Sequence, residues 1–93
     1  MDRYLIESPH DPEDCDAVVK EVHAAGDLHY FEWGCHDGAH CGWAIVETDS
    51  REHARQMVPW RIRDKARIVK LERFGKAQQT HSESKIVEEP PGS

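Results

Sequence analysis

The sequence lacks the features that mark membrane, secreted and nucleic-acid-binding proteins. No apolar run approaches the roughly 18 to 20 residues that cross a lipid bilayer. The N-terminal MDRYLIESPHD contains no basic segment followed by an apolar one, so it does not resemble a secretory signal peptide. The formal net charge of −6 disfavours contact with nucleic-acid phosphates, which requires clustered lysine and arginine. We therefore expect a cytoplasmic protein that binds neither membranes nor nucleic acid.

Cysteine is scarce, and its number is odd. The 93 residues contain three cysteines, Cys15, Cys35 and Cys41, which argues against a framework of disulfides. Packing, metal binding and thiol chemistry are the roles that remain for them. Histidine is frequent by comparison, with seven residues. The length and the hydrophobic fraction of 38% fit one small domain with a modest core.

The first half of the chain predicts a strand, a helix and a hairpin. Residues 3–7 (RYLIE) alternate and are rich in strand formers. Asp11, followed by a proline, predicts a helix start; apolar residues then recur at helical spacing, and Gly26 ends the helix. Strands are predicted at 28–35 and 41–48, joined by the turn-forming segment HDGAH.

The second half adds one helix and one strand. Asp49 and Glu52 have the spacing of a capping box, so a helix is predicted to begin there, and Pro59 ends or kinks it. A last strand is predicted at 65–74. The remainder, from 75 to 93, is polar and ends in PPGS, which predicts a disordered tail.

The predicted order β-α-β-β-α-β over residues 1–74 is that of a ferredoxin-like α+β sandwich. Right-handed crossovers place its antiparallel strands in the order 4-1-3-2, with both helices on one face. In this order and in its RYLIES and KARIVKL segments, the chain resembles small ferredoxin-like proteins that pair sheet to sheet as dimeric α/β barrels. Several of these families are uncharacterised, and some members resemble nickel-binding proteins. The resemblance matches no ligand motif residue by residue, so it implies no particular site residue.

Both faces of the predicted sheet are apolar, which points to a homodimer. One face is expected to carry Phe31, Trp33, Trp43 and Ile45, and the other Tyr30, Ala44 and Val46. A solvated sheet face usually alternates apolar with polar residues. The helices can cover only one face, so we expect the other to pack against the same face of a second copy.

The hairpin sequence WGCHDGAHCGW, residues 33–43, is nearly palindromic, and two strand registers are consistent with it. One register centres on Gly38 and pairs Cys35 with Cys41. The other places an Asp-Gly turn at the tip and sets His40 opposite Cys35, and turn chemistry favours it. Both registers stay open at the level of sequence.

The predicted topology collects the candidate ligands at one end of the sheet. The β1–α1 connection, the hairpin and the connection before the last strand all lie at that end. The cysteines and histidines brought there are His10, Cys15, Cys35, His36, His40 and Cys41. Surface positions at the other end or in the tail are predicted for His23, His29, His53 and His81.

This concentration of thiols and imidazoles predicts a soft transition-metal site, used for metal handling or sensing. Thiolate and imidazole are preferred donors for zinc, copper(I) and nickel. The candidate ligands are Cys35, His36, His40 and Cys41 of the hairpin, together with His10. Because neighbouring strand residues point to opposite faces, a partial set of Cys35, Cys41 and His10 is favoured. Cys15 belongs to the apolar stripe of the first helix and is interpreted as a small buried hydrophobe.

Two other functions stay open on the sequence. Dimeric α/β barrels include small-molecule enzymes, and Cys35 with His40 could act as a thiol nucleophile and its base. A cross-strand disulfide between Cys35 and Cys41 could instead serve as a redox switch.

Overall fold

The structure is a computed structural model, and it describes residues 1–75 of the chain. The tail predicted at 75–93 lies outside these residues, apart from Gly75. Between residues 1 and 75, no helix has the length and apolar character needed to cross a membrane.

The described part of the chain forms an α+β arrangement of four strands, two α-helices and short 3-10 turns. The strands and helices are β1 (Asp2–Pro9), α1 (Cys15–Ala24), β2 (Phe31–Trp33), β3 (Cys41–Thr48), α2 (Arg51–Arg55) and β4 (Arg67–Leu71). All strand pairs are antiparallel, and the sheet order is β2-β3-β1-β4. The predicted order 4-1-3-2 is confirmed, since it is the same order read from the other edge. Membership of the ferredoxin-like class stays a prediction.

β2 is shorter than predicted because local turns compete with it. It covers three residues rather than 28–35. A 3-10 turn at Leu28–Tyr30 precedes it, and another at Cys35–Asp37 follows it. The hairpin connection is therefore longer than a tight two-residue turn, and the residues around its tip are not paired in the sheet.

The helix ends differ from prediction in three places. α1 begins at Cys15, after a 3-10 turn at Pro12–Asp14, and not directly after Asp11. α2 ends at Arg55, before Pro59.

The third place is the start of α2. Ser50 caps α2, and its hydroxyl accepts the His53 N–H at 3.1 Å. The predicted capping box of Asp49 and Glu52 is therefore wrong by one residue. The end of α1 agrees with prediction: Gly26 follows the helix with a φ of 84°, the left-handed conformation that glycine adopts at low cost.

The ladder of β2 and β3 follows the register predicted with the Asp-Gly turn, although the connection itself is longer than that two-residue turn. Trp33 pairs with Gly42. The register centred on Gly38, which would pair Trp33 with Trp43, is wrong. The indole of Trp33 lies over the bare backbone of its partner, since a Cβ added at Gly42 would come 2.7 Å from Trp33 Cζ3. Pairing with a second indole would lose this close packing.

The register decides which side chains share a face, because a shift of one residue turns a strand over. Phe31 is buried on the same face as Ala44, its partner in β3. Ile45 lies on the opposite face and is 51% exposed. The predicted grouping of Phe31 and Trp33 with Trp43 and Ile45 is therefore wrong.

The described residues form an apolar core on one face of the sheet. Its buried side chains are Tyr4, Ile6, Val18, Val22, Phe31, Ala44, Val46, Ala54, Val58 and Ile62. They come from three strands, from both α-helices and from the segment after α2. Burial of this apolar surface is the main stabilising contribution, at about 25 cal/mol per Å².

The opposite face of the sheet carries a smaller apolar strip. We call Leu5, Trp43, Ile45 and Val69 the open-face strip; Leu5 pairs with Ile45 on one side and Val69 on the other. Salt bridges flank it, from Arg3 to Glu47 at 3.9 Å and from Arg67 to Glu7 at 3.8 Å. The homodimer expected from two apolar faces stays a prediction.

Replacing Ile6 with alanine should lower the free energy of unfolding by about 2–5 kcal/mol, because it leaves a cavity in the core. The matched change Ile45→Ala, on the exposed face, should cost about 1 kcal/mol or less. Urea unfolding followed by tryptophan fluorescence measures both. Equal losses at the two positions would contradict the assignment of the two faces.

Candidate metal centre

The pairing of β1 with β3 carries two histidines to the same end of the sheet. Pro9 and Cys41 form the last pair of the ladder, and the His10 N–H then donates to the His40 carbonyl at 3.0 Å. Alternate residues of a strand share a face. His10 therefore continues the buried side of Ser8, and His40 likewise continues the buried side of β3.

Cys35 and Cys15 approach these histidines from the hairpin and from α1. Cys35 follows Trp33 by two residues, so it continues the buried side of β2 into the turn. The Gly34 carbonyl accepts two N–H groups of that turn, at 2.9 and 3.0 Å, which keeps the connection compact. Cys15 is the first residue of α1, and fully buried Val18 anchors the helix one turn later.

These segments form a compact cluster of His10, Cys15 and Cys35, which we call the sulfur–imidazole cluster. His10 Nε2 lies 3.2 Å from Cys15 Sγ and 3.4 Å from Cys35 Sγ. One donor atom from each residue lies within 4.8 Å of the others. Nitrogen and sulfur donors bound to one tetrahedral zinc ion are about 3.5 Å apart, given their usual bond lengths. The cluster is therefore compatible with a single metal ion.

Cys15 holds its proton at neutral pH in the metal-free chain. The hydrogen bond with Cys35 is the largest cause, and burial, the charge of Cys35 and two nearby aspartates add to it, so the pKa of Cys15 rises to about 11. Burial also raises the pKa of Cys41. A bound cation would reverse the preference at Cys15, because it stabilises the thiolate. Metal binding would therefore release protons.

Three buried polar atoms beside the cluster have no hydrogen-bond partner among residues 1–75. They are Ser8 Oγ, His10 Nδ1 and Trp33 Nε1. Ser8 and Trp33 both pair with Gly42, from opposite sides, and the rings of His10 and Trp33 are 6.1 Å apart. Buried polar atoms usually find a partner. Buried polar atoms without partners, as at this end of the core, are expected at a binding site.

The structure brings together part of the predicted ligand set. His10 and Cys35 lie in the sulfur–imidazole cluster. His40 borders the cluster, with its Nδ1 3.2 Å from Cys15 Sγ. These contacts join the β1–α1 connection to the hairpin, as the topology predicts.

The other two predicted ligands lie outside the cluster. His36 is exposed. Cys41 is buried, and its thiol donates to the Gly42 carbonyl at 3.6 Å. Cys41 begins β3 and follows His40, so it points to the opposite side of the strand. His36 lies within the 3-10 turn Cys35–Asp37, outside the strands.

The predicted ligand set left out Cys15, whose sulfur lies in the cluster. Its interpretation as a buried hydrophobe is wrong, because the side chain is half-buried and its sulfur contacts both His10 and His40. The apolar stripe of α1 masked this role. The available signal was its place in the first turn of the helix, five residues after His10 and at the ligand-rich end of the sheet.

The thiol and imidazole groups that lie together in the structure differ from the pairs predicted for a disulfide switch and for an enzyme. A disulfide between Cys35 and Cys41 needs the register centred on the hairpin tip, whereas the residue opposite Cys41 on the β2 side is Gly34, whose N–H donates to the Cys41 carbonyl at 3.1 Å. The two sulfurs that lie within 4.8 Å of each other belong to Cys15 and Cys35. The imidazole that contacts Cys35 is that of His10, at 3.4 Å.

Hydrogen peroxide should link Cys15 to Cys35 in the metal-free protein, because both sulfurs lie in turns or helix ends that need only a small movement. Two thiols and one peroxide give one disulfide and two water molecules. Peptide mapping by mass spectrometry should recover the linked pair, and Cys41→Ala should oxidise in the same way. A dominant link between Cys35 and Cys41 would contradict the observed register.

Comparison with known proteins supplies no relative from which a function can be carried over. Searches against protein-family models, curated proteins and solved structures gave no significant match. The function of this chain therefore has to be argued from the geometry of the sulfur–imidazole cluster itself.

Proposed function

We propose that this protein binds one soft transition-metal ion through His10, Cys15 and Cys35, and that it handles or senses that metal. The observation that carries the proposal is the convergence of two sulfurs on one imidazole nitrogen, at 3.2 and 3.4 Å. The three donors come from the end of β1, the start of α1 and the β2–β3 connection. A metal site requires donors to converge in this way from separate segments, whereas hydrophobic packing does not require it.

The donor set selects the class of metal. Two thiolates and an imidazole favour zinc, copper(I) or nickel, whereas calcium and magnesium require oxygen ligands. The nitrogen–sulfur separations of 3.2 and 3.4 Å are near those of a tetrahedral site, the geometry that zinc adopts in proteins. Nickel and copper(I) remain alternatives that a binding titration distinguishes.

His40 supports the site as a neighbour of the Cys15 sulfur. Its Nδ1 lies 3.2 Å from that sulfur, and its carbonyl accepts the His10 N–H. A hydrogen bond from the imidazole to the thiolate would hold the ligand in place and lower the cost of its charge. His40 therefore acts as an outer partner in this proposal, while the three cluster residues are the ligands.

Metal binding explains the cluster better than thiol catalysis does. A nucleophilic cysteine needs a lowered pKa, whereas the pKa of Cys15 is raised to about 11. A metal ion removes this barrier by stabilising the thiolate directly. Cys15 is therefore not an activated nucleophile, and the predicted pair of Cys35 with His40 stays the alternative.

Full-length protein purified without a histidine tag should bind zinc or cobalt(II) in a one-to-one ratio. Cys15→Ser, Cys35→Ser and His10→Gln should each weaken binding by more than about 100-fold, because each removes a direct ligand. His40→Ala should weaken it by about 10-fold, as loss of an outer partner does. Competition with a chromophoric chelator measures the affinities, and elemental analysis measures the stoichiometry.

The chain contains two matched controls for these variants. Cys41→Ala removes a cysteine outside the cluster, and His36→Ala removes an exposed histidine. Both should bind metal as the unaltered chain does. Failure of the unaltered chain to bind zinc, cobalt, nickel or copper(I) would refute the proposal, and so would equal losses in the controls and the ligand variants.

We also propose that two copies pair through the open faces of their sheets. The open-face strip supplies an apolar centre, and salt bridges of both signs flank it. An apolar centre with a charged rim is the usual composition of a protein interface. A two-fold axis through the strip would bring basic residues of one copy towards acidic residues of the other.

Ile45→Glu should convert this dimer to a monomer, because it places a charge in the centre of the strip. Trp60→Glu is the matched control, since Trp60 is also exposed but lies outside the sheet. Sedimentation equilibrium measures the oligomeric state of each. A monomeric unaltered chain at the highest concentration tested would contradict the dimer and would leave the metal site unaffected.

A further inference from the structure

A cleft of about 500 Å³ opens beside the sulfur–imidazole cluster. Both sulfur donors, Cys15 and Cys35, form part of its wall. Val19 of α1 and Trp33 of β2 add apolar surface, and Lys20 adds an exposed ammonium group. Clefts of this size and composition accommodate small organic molecules.

The proposed metal ion would have one coordination position that the three ligands leave free. Zinc bound by three protein donors takes its fourth ligand from outside the cluster. Protein closes the imidazole side, because His10 is 6% exposed and its backbone N–H donates to the His40 carbonyl. The cleft touches both sulfurs, so an outside ligand reaches the ion from that side.

We propose that this cleft binds small thiol monocarboxylates, whose thiolate completes the coordination of the metal. The inference rests on the proposed metal function and extends it to a ligand class. The thiol loses its proton to solvent as the metal–sulfur bond forms, and a weaker ligand such as water leaves; no electron is transferred.

The lining of the cleft accounts for each part of such a ligand. A soft ion prefers a thiolate to an oxygen donor. The side chains of Val19 and Trp33 suit a short hydrocarbon chain. Lys20 has no ion pair among residues 1–75, so its ammonium is free to attract a carboxylate. Asp16 also borders the cleft and disfavours a second anionic group.

The experiment titrates the cobalt(II)-loaded full-length protein with 3-mercaptopropionate. We expect a saturable increase in the thiolate-to-cobalt charge-transfer absorption, with one equivalent bound per metal. 2-Mercaptoethanol, which lacks the carboxylate, should bind about two- to five-fold more weakly, as expected for the loss of one exposed charge pair. Propionate, which lacks the thiol, should leave the absorption unchanged.

Variants in the cleft distinguish binding of the thiol ligand from binding of the metal. Val19→Glu and the larger apolar change Val19→Phe should abolish the response to 3-mercaptopropionate and leave cobalt bound. Lys20→Gln should weaken the binding of 3-mercaptopropionate by about two- to five-fold without affecting the binding of 2-mercaptoethanol. Lys70→Gln is the matched control, since Lys70 lies on β4 and pairs with Asp2 at 3.7 Å.

Three outcomes would overturn the inference and leave the metal function standing. The first is an unchanged cobalt spectrum at saturating 3-mercaptopropionate, which means that the protein itself fills the fourth position. The second is an equal response to propionate. The third is loss of cobalt from the protein, detected by ultrafiltration, which means that the thiol competes for the ion. A chain that binds no cobalt would refute both proposals.

Discussion

The pairing of β1 with β3 is the interaction on which the rest of the structure depends. It is the longest ladder among the described residues, with eight residue pairs, and β1 also pairs with β4 on its other side. The hydrogen bond from His10 to His40 extends the same ladder by one step, beyond the ends of the strands. Backbone pairing in the middle of the sheet therefore positions both imidazoles, which makes them more rigid than side chains carried by a free loop.

The register of β2 against β3 decides which side chains of the hairpin lie on each face of the sheet. Trp33 packs over Gly42, and this places Cys35 on the buried side with the histidines. A shift of β2 by one residue against β3 would turn Trp33 and Cys35 to the opposite face of the sheet. The absence of a side chain at Gly42 is therefore as important to the cluster as the donors themselves.

The two sulfurs differ from the histidines in how they are held. Cys15 begins a helix and Cys35 begins a turn, so neither belongs to the ladder. Their positions depend on the packing of α1 and on the compact hairpin connection. A bound metal would hold these segments together, and an ion at 100 times its dissociation constant would stabilise the fold by about 2.7 kcal/mol. The cluster would thus couple occupancy of the site to the stability of one end of the domain.

Hydrophobic periodicity and chain direction were enough to predict the α+β class, the strand order and the end of the sheet where thiols and imidazoles gather. The end of a helix could be predicted where one residue is clearly preferred, as at Gly26. It could not be predicted where Asp49 and Ser50 were both suitable N-caps. Turn chemistry favoured the observed hairpin register, but the packing of the Trp33 indole on Gly42 of the next strand settled it. The position of Cys15 beside His10 and Cys35 depends on how the start of α1 packs against the hairpin connection. Hydrophobic periodicity carries no information about that packing, which is why His10 and Cys35 could be predicted and Cys15 became visible as the third member of the cluster only in the folded chain.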